Sequence, residues 1–221
     1  QRARMKNMGC DIHIIVERRN MDDRTWHATE ESGGDDRNYD VFNVLAGVRA
    51  DTAEEMAEWP NDDGKWNPKF CFSGRERKPI AEPRGVPADA SLEAREFIAE
   101  EGGHSTSHAT AQEVLYYPWD TEIGQSGWVD GDQWLALRTG TRPKEWSQGI
   151  GGGRIVNLTA AMMETRVDAM GEEERKNTYA RASWKRAPHC KHFVAWMEGL
   201  VKSAQADDPR RGGDDVRLVF T

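Results

Sequence analysis

The sequence predicts an α+β fold: a single domain with a mixed, largely antiparallel sheet, several helices and long ordered loops. Three observations carry this. Apolar strands and amphipathic helices alternate without the regular rhythm of a parallel α/β sheet. The chain opens and closes on apolar strands, Gly9–Glu17 and Val216–Phe220, which belong in one sheet. Between residues 60 and 90, Pro60, Pro68, Pro79, Pro83 and Pro87 forbid long helices and central strands, while Trp66, Phe70 and Phe72 give that stretch packing groups of its own.

Side chains alternate along the first strand, so Cys10, Ile12, Ile14 and Val16 share one face and Asp11, His13, Ile15 and Glu17 the other. An acid and an imidazole two residues apart converge on one volume, and acids on a buried face need a partner. Thr25–Thr29 returns as a second strand in a hairpin. Asn38 caps a helix whose stripe is Val41, Phe42, Leu45 and Val48, and Asp51–Trp59 reads as a short helix stopped by Pro60. In Glu82–Pro87 the prolines stiffen a turn from which Arg84 projects. Ser91–Glu101 is a helix ended by Gly102. Residues 102–110 form a loop, and Thr110-Ala-Gln-Glu113 matches a capping box. That polar loop, carrying His104 and His108 into a helix start, suits an anion.

Tyr116–Gln125 reads as loop, Gly127–Val129 as a short strand and Asp132–Arg138 as a helix. Arg154–Leu158 is a strand, and Thr159 caps a helix running to Met170. Thr178–Arg186 alternates as a strand. Pro188 opens the best helix, striped by Phe193, Met197, Leu200, Val201 and Ala204, with His189 and His192 in its first turn facing solvent. Asp207–Asp215 reads as a charged, disordered link.

The chain has 221 residues, a net charge of -8, 31% charged residues and a mean hydropathy of -0.82. That balance excludes a general binder of duplex nucleic acid, which presents a basic face. No run is apolar enough to cross a membrane. Cys10, Cys71 and Cys190 are an odd set without zinc spacing, which fits a reducing, cytoplasmic setting. Residues 1–8 lack a signal-peptide core and read as an extension or tag remnant, leaving 9–221 as the domain. The run Gly151-Gly152-Gly153 lacks the Lys-Ser/Thr of a phosphate loop.

Several stretches together resemble a family of mostly uncharacterised phage and bacterial proteins. They are Met8-Gly-Cys-Asp-Ile-His13, Asp36–Phe42, Leu45–Arg49, Glu82–Pro87, Gly103–Ser107 and Val216–Phe220. The family loop tends to read His-Ser-His-Ser before an aromatic; here Thr106 replaces the second His and His108 stands at the aromatic position. The resemblance implies a phage context, a host-cell cytoplasmic location, and a role for Asp11, His13, Arg37, Arg84, His104 and Ser105.

Two imidazoles near fixed cations are what metal-free phosphodiester cleavage requires: a base, an acid and positive charge for the developing oxyanion. The expectation is therefore a phosphodiesterase acting on a small, cyclic signalling nucleotide as a phage counter-defence. His13 and His104 would exchange protons and Asp11 would orient an imidazole. Ligand contacts fall on Arg37, Tyr39, Arg49, Arg84, Ser105, Ser107 and His108. The alternative is a non-catalytic sponge that sequesters the nucleotide. The cofactor is either none or a divalent metal on Asp11, His13 and His104. The expected partners are a small nucleotide and further copies of the chain in a homo-oligomer, with neither duplex nucleic acid nor membrane.

Overall fold

The structure, a computed structural model, describes residues 12–31, 37–52, 74–103 and 105–221. The fold is α+β with two mostly antiparallel sheets, one in each of two compact units. The first unit takes its described residues from Gln1–Val48, Pro79–Trp119 and His189–Thr221, and the second from Arg49–Lys78 and Asp120–Pro188. The chain passes between them four times, which is why no single linker is visible in the sequence.

The first sheet contains β1 (Ile14–Arg19), β2 (Trp26–Ala28), β3 (Ser107–Thr110) and, from the far end of the chain, the strand Val216–Phe220. The first and last strands pair directly, with Ile14 opposite Phe220 and Glu17 opposite Arg217. The hairpin partner β2 lies on one side and β3 on the other. Burial follows the expected alternation. Ile12, Ile14 and Val16 join Leu218, Phe220 and Ala109 on the core face. Three helices cover it: α1 (Tyr39–Ala46), the helix Ala111–Tyr116 and the long helix Lys191–Asp207, whose Phe193, Met197, Leu200 and Ala204 are buried as the stripe requires. On the opposite face, α2 (Leu92–Glu101) lays Ala94 and Ile98 against Ile15 and Val219.

Each helix start obeys its local chemistry. Asn38 Oδ1 accepts from the N–H groups of Asp40 and Val41. Ser91 caps α2 through the Ala94 N–H at 3.2 Å. Thr110 and Glu113 form the capping box of α3 (Ala111–Tyr116).

The second unit contains β4 (Ile123–Asp130), α4 (Gly131–Arg138), β5 (Val156–Leu158), α5 (Ala160–Arg166), α6 (Glu172–Asn177) and β6 (Thr178–Arg186), with sheet order β4-β6-β5. Its small core gathers Leu158, Met163, Val167, Met170 and Ala180. Buried Gln125 donates to the Gly74 carbonyl at 3.0 Å and accepts from Arg186. The first unit closes with α7 (Lys191–Asp207) and β7 (Val216–Phe220).

Five local readings change. Residues 107–110 form β3, because pairing with β7 supplies what a Ser-His-Ala-Thr segment lacks in strand propensity. The strand read at 127–129 starts earlier, at Ile123, in full antiparallel register with β6. The helix from Thr159 ends at Arg166, followed by a 3₁₀ turn over Val167–Ala169. The short, wholly polar helix α6 has no apolar stripe to announce it. Residues 207–215 are ordered: Arg211 Nε donates to the Arg19 carbonyl, Arg210 pairs with Asp22 and Asp208, and Asp215 Oδ2 accepts from the Gly212 N–H. The helix expected at Asp51–Trp59 and the aromatic loop at 66–72 lie largely outside the described residues. Among the described residues, no helix is long and apolar enough to cross a membrane.

Candidate functional site

The pairing of β1 with β7 continues one step past both strands. The His13 N–H donates to the Thr221 carbonyl and the Thr221 N–H to the His13 carbonyl, each at 3.1 Å. On the other side of β7, Thr106 Oγ1 lies 3.1 Å from Thr221 Oγ1. His13, Thr221 and Thr106 thus form one row across three strands, on the face that α2 covers one pleat further in through Ile15 and Val219.

The last residue of α2 reaches this row. Glu101 Oε2 lies 3.2 Å from His13 Nδ1, with both side chains little more than a third exposed. A proton on Nδ1, donated to Glu101, leaves the lone pair on Nε2, the tautomer that a general base uses. Gly102, with φ of 59°, ends the helix in the left-handed region. Gly103 then crosses Thr221 so closely that a β-carbon would lie 2.1 Å from Thr221 Oγ1. Ser105 takes a φ of 63°. A left-handed serine is uncommon, and such strain concentrates where a loop is held for a purpose.

The loop at Arg84 docks on β3. The Arg84 N–H donates to Ser107 Oγ at 3.0 Å, the Gly85 N–H to the Thr106 carbonyl at 3.0 Å, and His108 Nδ1 lies 3.0 Å from the Gly85 carbonyl. The guanidinium of Arg84 pairs with Glu113 at 2.8 Å. Burial pushes the Glu113 carboxyl up, but hydrogen bonds from Arg84 and the Thr110 N–H outweigh it and hold the carboxyl below its ordinary range. The same hydrogen bond raises Arg84, against its partial burial. Arg84, Ser107 and His108, expected as ligand contacts, are fasteners of this loop as they stand. Ser107 is buried and its hydroxyl is engaged.

The remaining expected residues are spread more widely. Exposed Arg37 precedes α1, and the Tyr39 ring packs edge-on against Phe42 at 5.7 Å. Arg49 belongs to the second unit, where its φ is 55° and its carbonyl accepts from Arg75 Nη1 at 2.9 Å. Asp11 and His104, the other expected catalytic residues, lie outside the described residues, and with them two of the three groups of the metal alternative. Among the described residues, no group of three or more His, Cys, Asp or Glu is placed to hold a metal ion.

Glu101 was missed by sequence reasoning. A signal was present: Glu100 and Glu101 end α2, where the helix dipole disfavours an acid. An acid kept there points to another demand on it. No family model, no curated protein and no solved structure matches the chain.

Proposed function

We propose that the protein is a phosphodiesterase acting on a small, cyclic signalling nucleotide, with the row at the end of the first sheet as its reaction centre. The observation that supports this is the Glu101–His13 pair, a carboxylate-oriented imidazole beside the hydroxyls of Thr106 and Thr221. In the proposed step, His13 Nε2 takes a proton from water as its oxygen attacks phosphorus. The P–O bond to the leaving ribose oxygen breaks, and that oxygen takes a proton from an acid, assigned to His104. Nearby hydroxyls donate to the phosphoryl oxygens. The phage counter-defence setting comes from the family resemblance alone.

A second reading, a homo-oligomeric sponge that holds the nucleotide intact, is favoured by the engagement of His108 and Arg84 within the fold. That engagement leaves His13 beside hydroxyl donors, which bind phosphate but are poor proton donors to a leaving oxygen.

The test incubates the protein with cyclic dinucleotides and cyclic ADP-ribose-type compounds, with and without EDTA, followed by heat release and chromatography. New product peaks support cleavage, and EDTA sensitivity adds a metal to it. His13→Ala is expected to lower turnover about 10²- to 10⁴-fold, the usual size of general acid–base catalysis. Turnover unchanged in His13→Ala overturns the assignment. Ligand recovered unaltered from wild type identifies the sponge.

A further inference from the structure

The opposite end of β1 holds a cleft that the proposed reaction does not use. Arg18 follows His13 by five residues, so the two ends are about 17 Å apart at strand spacing. The cleft, of about 490 Å³, lies between the β1–β2 hairpin and the turn after α7. Its volume falls within the range of small-molecule sites.

Its charges are arranged in depth. Arg18 and Arg211 form the base, with side chains 11% and 17% exposed. Both are held from within the fold. Arg18 donates to Ser203 Oγ at 2.9 Å and pairs with Glu31, while Arg211 donates to the carbonyls of Arg19 at 3.0 Å and Ala204 at 3.5 Å. The acids Asp207 and Asp22 form the rim, 59% and 79% exposed, together with Arg210; the deeper Asp208 of the same lining, 20% exposed, is paired with Arg210. Asp207 pairs with Arg18 and lies 3.9 Å from Arg211, so one exposed carboxylate sits over both held cations. Buried Arg18 Nε has no acceptor among the described residues, so the acids do not exhaust its donors.

We infer that this cleft binds a phosphate-bearing small molecule of about mononucleotide size, whose phosphate displaces Asp207 from Arg18 and Arg211. A phosphate offers more charge and more acceptor oxygens to two guanidiniums than one aspartate does. An exposed ion pair contributes little, so its exchange is readily reversed. The polar groups of Asn20 and Thr29 line the same space and suit the rest of such a ligand.

The test is calorimetric titration of the intact protein with inorganic pyrophosphate and with ADP, at low and high salt. Saturable ADP binding that survives in His13→Ala is expected, and it separates this cleft from the reaction centre. Asp207→Asn should tighten binding about two- to fivefold by removing the competing carboxylate. Arg211→Gln should weaken it about tenfold or more, the loss of a charge-assisted hydrogen bond. Asp207 is exposed, so its variant decides the matter even if Arg211→Gln fails to fold. Pyrophosphate binding as tightly as ADP supports the phosphate contacts and removes the nucleoside from the assignment. No saturable binding of either probe overturns the inference, as does weaker binding in Asp207→Asn, the sign of a cation site.

Discussion

Glu17 and Arg217 stand opposite each other on β1 and β7 and form a buried ion pair, with Arg217 Nε 2.6 Å from Glu17 Oε2. Both members have further contacts, while buried Arg217 Nη2 has no acceptor among the described residues. The Ser91 N–H donates to the second Glu17 oxygen at 2.7 Å, Asp89 accepts from Arg217 Nη1 at 2.7 Å, and the guanidinium lies 4.0 Å from the Trp26 ring centroid. This network ties the start of α2 to the sheet and so sets where Glu101 arrives. Arg217→Met leaves the Glu17 carboxylate buried without its cation, and should cost about 3–5 kcal/mol in urea unfolding. Replacing both, as Glu17→Leu with Arg217→Met, should recover part of that loss, because an apolar pair avoids the desolvation of two charges while the buried Ser91 N–H loses its acceptor. A single-variant cost under about 1 kcal/mol would be too small for a buried pair.

Gly103 is required by proximity and not by backbone angle. A β-carbon there meets Thr221 Oγ1 at 2.1 Å and Thr221 Cγ2 at 2.8 Å. Gly103→Ala must push Thr221 away, and with it the backbone pair to His13. The expected destabilisation is about 1–3 kcal/mol by thermal or chemical unfolding, the usual range for overpacking. Adding Thr221→Gly to Gly103→Ala should restore most of it. No rescue by the second change would place the strain elsewhere.

The regular parts of this fold were legible because local chemistry and burial agree. Asn38, Ser91 and Thr110 announce their helices and cap them. Alternation at Ile12–Val16 and at Val216–Phe220 announces strands that then pair. The demand for a partner at Glu17 was also legible, but Arg217 is 200 residues away in sequence, and only register brings it opposite. The strand β3 and the pairing of His13 with Glu101 were not legible for the same reason. Each depends on which chain lies alongside, and β3 carries no periodic signal of its own. The sequence has Arg84 projecting from its turn, and nothing local indicates that Glu113, already committed to a capping box, also takes its charge.

The Arg84–Glu113 contact gives a pH dependence of defined sign. The folded-state pKa of Glu113 lies below its ordinary value of 4.5, the Arg84 and Thr110 hydrogen bonds outweighing burial. A depressed carboxylate contributes stability that is complete above the ordinary value and is lost as pH falls through the folded value. The side chain is about a third exposed, so screening limits the contribution to about 0.5 kcal/mol. Wild type should exceed Glu113→Gln in stability at pH 7, and the difference should shrink below pH 4.5. A difference that is constant from pH 7 to pH 3 would assign Glu113 a purely steric role.

Ser105 makes a prediction in which stability and activity separate. Its φ of 63° is open to glycine without steric penalty, whereas a side chain there costs on the order of 1 kcal/mol. Ser105→Gly relieves that strain but frees the unfolded chain, so the melting temperature should change by no more than a few degrees. Ser105→Val, β-branched in the same conformation, should destabilise by about 1–3 kcal/mol. Ser105 lies in sequence between Glu101 and Thr106, which contact His13 and Thr221 of the His13 row. If the strained conformation serves that row, Ser105→Gly lowers turnover while its fold stays intact, the pattern expected where strain is kept for function. Equal turnover in wild type and Ser105→Gly would instead make the positive φ a consequence of fitting a short connection between α2 and β3, with no catalytic purpose.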